Sequence, residues 1–138
     1  MLEIYPWQID QMQRLILMHH QNRLPHALLF SGPDGIGLKT FALAFVMRSL
    51  CLSNDKNLEI ACGNCKSCTL FLGESNPDLY SIEPDEKGKT IKIEQIRELI
   101  EYASLKSFSA NMKVVIIDSA DMMNRNAAPA LLKTLEEP

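Results

Sequence analysis

The chain has no apolar run approaching the roughly 18 to 20 residues of a membrane-spanning helix. Nor does its N-terminus show a basic stretch leading into an apolar signal core. These absences lead to the expectation of a cytoplasmic address with no membrane partner. A basic excess is also missing: 14 Lys and Arg against 17 Asp and Glu give a net charge of −3, so no overall field draws the chain to nucleic acid. Aromatic residues are only 7% of the chain and form no ladder on which bases could stack. The sequence shows no internal repeat and no low-complexity linker. His19 and His20 have no cluster of catalytic partners around them and are expected at a solvent-facing helix end. What remains, 138 residues at 46% hydrophobic content, has the size and composition of one globular domain, spanning 1–138.

Cysteine is scarce but concentrated. Of the four cysteines, three fall within Cys62-Gly63-Asn64-Cys65-Lys66-Ser67-Cys68, and with Cys51 they read C-x10-C-x2-C-x2-C. In a reducing compartment such crowding suits metal ligation better than disulfides. Four thiolates close a tetrahedral zinc site at about 2.3 Å per Zn–S bond and leave no position open for substrate, so the expected role of Cys51, Cys62, Cys65 and Cys68 is structural. The alternatives are an iron–sulfur cluster and unrelated free thiols. An iron–sulfur run of the C-x2-C-x2-C-x3-C-P type would need a further cysteine after Cys68, which is absent. The polar region 51–73 therefore reads as an insertion stapled by Zn²⁺.

Around that insertion the periodicities are ordinary. Ile9, Met12, Leu15 and Ile16 predict an amphipathic helix from about Gln8 to His20. Ala27-Leu28-Leu29-Phe30, bounded by Pro25 and Gly32, reads as a buried strand. Thr40 to Leu50 is apolar nearly all round, as a helix packed against a sheet should be. Leu79 to Ile82 predicts a second strand, Asp85 to Lys89 a charged turn, and Ile93 to Leu105 a helix with Glu94, Arg97, Glu98 and Glu101 on a solvated face. Val114-Val115-Ile116-Ile117 reads as a fully buried parallel strand ending in Asp118. A last helix is expected over Ala127 to Glu136, with Pro129 in its first turn and Pro138 stopping it.

Between the first strand and the apolar helix lies Ser31-Gly32-Pro33-Asp34-Gly35-Ile36-Gly37-Leu38-Lys39-Thr40. It approaches the phosphate-binding motif G-x-x-x-x-G-K-[ST], in which backbone amides cradle phosphates, the lysine reaches the β/γ-phosphates and the hydroxyl holds Mg²⁺. Gly32 and Gly37 have the required spacing, with Gly35 between them. Leu38, however, occupies the lysine position and Lys39 the hydroxyl position. One step along a helix turns a side chain by about 100°, so Lys39 and Thr40 are displaced from their catalytic directions. Asp118 closes its apolar strand as a Walker B aspartate would, holding Mg²⁺; the next residue is Ser119, a poor general base where hydrolysing relatives place a glutamate. An aspartate that only caps the following turn fits Asp118 as well. The loop glycines and helix N-terminus can still admit a phosphate, whereas ATP turnover by this chain is not expected.

Four blocks in this order carry a family resemblance: His26 to Phe30 with the glycine loop, the four-cysteine module, Lys113 to Asp118, and Leu131-Leu132-Lys133-Thr134-Leu135-Glu136-Glu137-Pro138. Together they resemble the N-terminal AAA+ ATPase-fold domain of the bacterial DNA polymerase III clamp-loader subunits. Leu38, Ser119 and the Tyr5-Pro6-Trp7 opening resemble its delta-prime class more than the gamma/tau motor class. The resemblance implies an α/β P-loop NTPase (AAA+) parallel sheet flanked by helices, with the zinc module inserted at 51–73. It also implies a non-hydrolysing structural subunit of the DNA polymerase III holoenzyme that helps load the sliding clamp on primed DNA in replication. The partners so implied are gamma/tau, delta, the clamp and, through the complex, primed DNA. In that family the domain continues beyond Pro138, with a further strand between those at Ala27 and Val114. Uncovered backbone and apolar surface there predict self-association of this chain.

Two other readings remain. One is an ATP-hydrolysing motor of the gamma/tau type, or another P-loop ATPase, that tolerates Leu38. The other treats the cysteine module as a nucleic-acid-binding zinc element, but only Lys56 and Lys66 supply positive charge near it.

Overall fold

The computed structural model describes residues 3–25, 27–33, 35–53, 55, 60–86, 89–105 and 112–136. His26, Asp34, Lys56, Glu137, Pro138 and part of the turn between Asp85 and Lys89 lie outside them. The chain divides into two compact units, Met1–Asn76 and Pro77–Pro138.

The first unit begins with a 3-10 turn, Pro6–Gln8, which runs directly into helix α1, Ile9–His20. Most of the expected stripe is its buried face: Met12 and Ile16 are buried and Leu15 is half-buried, while Ile9 is exposed. Helix α1 ends where Asn22 takes a left-handed conformation (φ 54) and the Arg23 amide donates back to the Met18 carbonyl at 2.8 Å, a closure that satisfies helix-end carbonyls. Helix α2, Leu38–Leu50, has few exposed faces, since Phe41 and every residue from Ala44 to Leu50 are buried. Met12, Ile16, Phe41, Ala44 and Phe45 make one core, with Ile4, Leu15, Leu24 and Phe30 against it. A short helix α3, Lys66–Leu72, lies within the cysteine region, where the sequence pattern predicts no helix.

Two expectations about this unit are corrected. Ala27 to Phe30 is not a strand: among the described residues of the unit no strand is present to pair with it, and Leu29 is 82% exposed. Four apolar residues become a strand only if a neighbour takes their amides and carbonyls. Phe30 alone turns inward, meeting Phe41 edge to face at 5.5 Å. His19 and His20 do end α1 but are half-buried rather than fully solvent-facing. Burial, followed by the neighbouring His20 and Arg48, lowers the pKa of His19.

The second unit is a β–α–β arrangement. Strand β1, Leu79–Ile82, pairs in parallel with β2, Val114–Ile117, in the register Leu79↔Val114 through Ile82↔Ile117. Parallel neighbours need a crossover, and here it contains helix α4, Ile93–Ala103. The Lys92 amide donates to Gln95 Oε1 at 2.9 Å at the start of α4, and Gln95 Nε2 donates to the Glu83 carbonyl at 2.8 Å, tying that start to the end of β1. Helix α5, Ala127–Glu136, is entered through Asn124, whose Oδ1 accepts the Ala127 amide at 2.8 Å. Ile82, Ile91, Ile96, Leu99, Ala127 and Leu131 form the buried core. A parallel bridge, Ile91↔Met123, adds a third extended position.

Leu79 to Ile82 and Val114 to Ile117 are both strands, as expected, and the structure pairs them in parallel; β2 is half-buried throughout rather than fully buried. Helix α4 ends at Ala103, short of Leu105. Replacing Ile96, which has no exposed surface, by alanine is expected to cost about 2–5 kcal/mol. Urea denaturation monitored by circular dichroism measures it, and an unchanged midpoint would contradict this core.

Candidate metal centre and glycine loop

Helix α2 delivers the first cysteine. Its backbone leaves the helix at Cys51 (φ −62, ψ 136), with the Cys51 amide still bonded to the Arg48 carbonyl at 3.3 Å. The other three come from the turn that starts α3. There Gly63 takes φ 79, a left-handed conformation that glycine adopts without a Cβ penalty. Cys65 caps α3, its sulfur accepting the Cys68 amide at 3.3 Å.

The result is a cluster: the sulfurs of Cys51, Cys62, Cys65 and Cys68 all lie within 4.8 Å of one another, with Cys62 Sγ and Cys68 Sγ 3.9 Å apart. A tetrahedron with bonds of about 2.3 Å has edges of about 3.8 Å, so the spacing suits a tetrathiolate metal ion. It is far beyond the about 2.0 Å of a disulfide, and all four cysteines are free. Backbone amides already point at the sulfurs: Cys62 to Cys51 Sγ and Leu52 to Cys65 Sγ at 3.5 Å, and Cys65 to Cys62 Sγ at 3.3 Å. Such donors favour the charged thiolate. The Asn64 amide leads in holding the Cys62 thiol down to about 6, while burial pushes the Cys68 thiol up. Four soft donors, arranged with amides directed at sulfur, could hold a metal ion with no open coordination position.

The glycine loop is built differently. Gly35 and Gly37 are left-handed (φ 86 and φ 78), and Gly37 caps α2. A Cβ on Gly37 would lie 2.4 Å from Tyr5 Cε2, so the Tyr5 ring occupies the space above this glycine. Tyr5 stacks on Trp7 at 4.6 Å with the rings within 7° of parallel. Gln8, itself buried, donates from Nε2 to the carbonyls of Ile36 at 3.0 Å and Gly37 at 3.3 Å, while its Oε1 accepts the Tyr5 amide at 3.0 Å. Ile36 folds back so that a Cβ on Gly32 would meet its Cδ1 at 2.5 Å. The loop is thus held by its own side chains and by the Tyr5–Gln8 turn.

Leu38 is the first residue of α2 and is half-buried, Lys39 is exposed and Thr40 half-buried. Asp118 belongs to the second unit, where its amide donates to the Ile82 carbonyl at 2.8 Å. Ser119 after it is exposed and left-handed (φ 62), opening the 3-10 turn Ala120–Met122.

Residues 7–138 match the protein family described as DNA polymerase III, delta subunit. The chain belongs to this family. It is similar to DNA polymerase III subunit delta' of Pseudomonas aeruginosa, at 38% identity over 138 residues, which is all of this chain and 40% of that protein. Subunit delta' of Bacillus subtilis is 38% identical over 118 residues, 86% of this chain and 34% of the relative. Subunit tau/gamma of Haemophilus influenzae is 38% identical over 117 residues, 85% of this chain and 16% of the relative. The DNA polymerase III delta-family chain described here therefore spans well under half the length of these relatives. No helix among its described residues is long and apolar enough to cross a membrane.

Several supporting residues of this delta-family chain carry little or no motif signal. Gln8 and Tyr5 brace the glycine loop from a distant stretch, and nothing in their spacing announces it. Arg48 had a signal: it is the lone charge deep in an apolar helix. Only 2% exposed, its guanidinium donates to His20 Nε2 at 3.3 Å and to the Asp55 carbonyl at 3.0 Å. Because a guanidinium can only donate, the Nε2 of His20 carries the lone pair here.

If the cluster holds a metal, Cys68→Ser should strip most of it from the purified chain and lower the unfolding midpoint. Saturation at about a thousandfold over Kd stabilises a fold by roughly 4 kcal/mol, all of it at stake. Elemental analysis with calorimetry checks this, and stoichiometric metal in the variant would remove Cys68 from the ligand set.

Proposed function

We propose that this chain is the N-terminal ATPase-fold part of a clamp-loader subunit of the delta-prime type, with a structural rather than a catalytic glycine loop. In this reading it acts in the cytoplasm within the DNA polymerase III assembly, beside gamma/tau and delta, and helps place the sliding clamp on primed DNA. The relatives named delta' support the assignment, and the AAA+ P-loop architecture comes with it. Its four cysteines hold structural Zn²⁺, supported by the sulfur spacing and by the amides directed at sulfur.

The observation that carries the non-hydrolysing reading is the start of α2 at Leu38. An apolar side chain stands where the phosphate-reaching lysine belongs, and Lys39 is rotated by about 100° from it. With Ser119 following Asp118, the chain lacks both the cation that stabilises charge on a transferring phosphoryl group and the acid that orients water. Efficient turnover therefore needs groups this chain does not bring to its own loop.

The motor reading has one point in its favour, the tau/gamma relative at 38% identity. Calorimetric titration with Mg²⁺ and ATP, then a phosphate-release assay, separates the two. The delta-prime reading expects no turnover above background; release that disappears in Asp118→Asn would establish the motor.

The exposed Leu28 and Leu29 support the further reading that the isolated chain associates with itself. Light scattering is expected to give a mass above the monomer that rises with concentration and falls in Leu29→Lys. A clean monomer at high concentration would refute it.

A further inference from the structure

We propose that Asn76 is a positioning residue of the four-cysteine metal site, clamping the helix that presents Cys65 and Cys68. The inference rests on the metal-site reading given above.

Helix α3 has seven residues, too few to hold itself in water. Two of the four sulfurs depend on it, because Cys65 is its cap and Cys68 lies in its first turn. The chain leaving α3 folds back along it. Glu74 adopts φ 58 while its amide donates to the Phe71 carbonyl at 3.0 Å, and the Ser75 amide donates to the Leu70 carbonyl at 2.9 Å. That reversal brings Asn76 to the opposite end of the helix. There its Nδ2 donates to the Ser67 carbonyl and to Ser67 Oγ, both at 3.0 Å.

Ser67 is the residue between Lys66 and Cys68, so the clamp grips the helix inside the ligand run itself. Asn76 is 6% exposed and Ser67 1%, so the bonds between them lie away from bulk solvent. An unpaired buried carbonyl and hydroxyl would favour fraying of the first turn. Fraying would also release the Cys68 amide from Cys65 Sγ and let the buried Cys68 sulfur drift from its partners. The clamp thus places two donors before any ion arrives and lowers the ordering cost of capture.

The residue lies outside the cysteine run and outside the 51–73 insertion that the sequence pattern marks. Partners that orient metal ligands typically cost roughly 10–100-fold in metal affinity when removed. Asn76→Ala is expected to lose affinity in that range. Asn76→Asp, nearly isosteric, puts an acceptor against the Ser67 carbonyl and should lose at least as much.

The test is Co²⁺ titration of the full chain under reducing conditions, with the affinity fixed by chelator competition and thiolate-to-cobalt absorption as the spectroscopic readout. Thermal unfolding of the metal-free proteins runs alongside. The proposal expects weaker Co²⁺ binding in both variants with the tetrathiolate spectrum retained at saturation. Wild-type affinity in Asn76→Ala overturns the clamp and leaves the metal site standing, whatever happens to metal-free stability. Absence of a tetrathiolate spectrum in the unaltered chain overturns both readings.

Discussion

Helix α2 is buried on nearly every side, and the rest of the first unit follows from how its two ends and its one deep charge are satisfied. At the N-terminal end the chain must enter the helix from a tight turn beneath the Tyr5 ring, which only a residue without a Cβ can do at Gly37. At the C-terminal end the backbone leaves at Cys51, so the helix passes directly into the sulfur cluster. Between them Arg48 brings a charge into a dry setting. Burial of a guanidinium is costly unless its donors are used, and His20 and the Asp55 carbonyl accept from it. One apolar helix therefore links the glycine loop, the end of α1 and the approach to the cysteine cluster.

The second unit solves a different problem. A pair of parallel strands alone cannot cover both its faces, and the half-buried pattern of β2 records that. Stability comes instead from the wedge of Ile82, Ile91, Ile96 and Leu99 against Ala127 and Leu131 of α5. The Ile91↔Met123 bridge and the Asn124 cap fix where α5 starts, so the helix carrying the Leu131-Leu132-Lys133-Thr134 segment is positioned by hydrogen bonds as well as by packing.

What could be read from the sequence was what depends on local periodicity or close spacing. The stripe through Met12 and Ile16, the apolar α2, the β-branched Val114 to Ile117 and the crowding of Cys62, Cys65 and Cys68 each carry their signal within a few residues. Ala27 to Phe30 misled because an apolar run reports burial potential, while strand formation needs a partner that the run cannot specify. Helix α3 was hidden because its seven residues are too few for a periodic repeat to show, and its start is marked by a sulfur cap at Cys65. Gln8 bracing Ile36 and Gly37 spans 28 and 29 residues, a separation at which side-chain amides leave no pattern.

The glycine loop shows why a motif should be divided by what each residue answers to. Gly37 is required by a left-handed turn and by the closeness of Tyr5, a demand that holds with no phosphate in the cradle, whereas a Cβ on Gly32 would meet only the flexible Cδ1 end of Ile36. A lysine at position 38 and an acid at position 119 would answer to phosphate chemistry alone, because nothing in the turn or in the entry to α2 needs them. When that chemistry is not performed, packing can keep Gly37 while those two positions are free to become Leu38 and Ser119. Gly37 therefore testifies to the fold, and the two substituted positions carry the weight in any argument about catalysis.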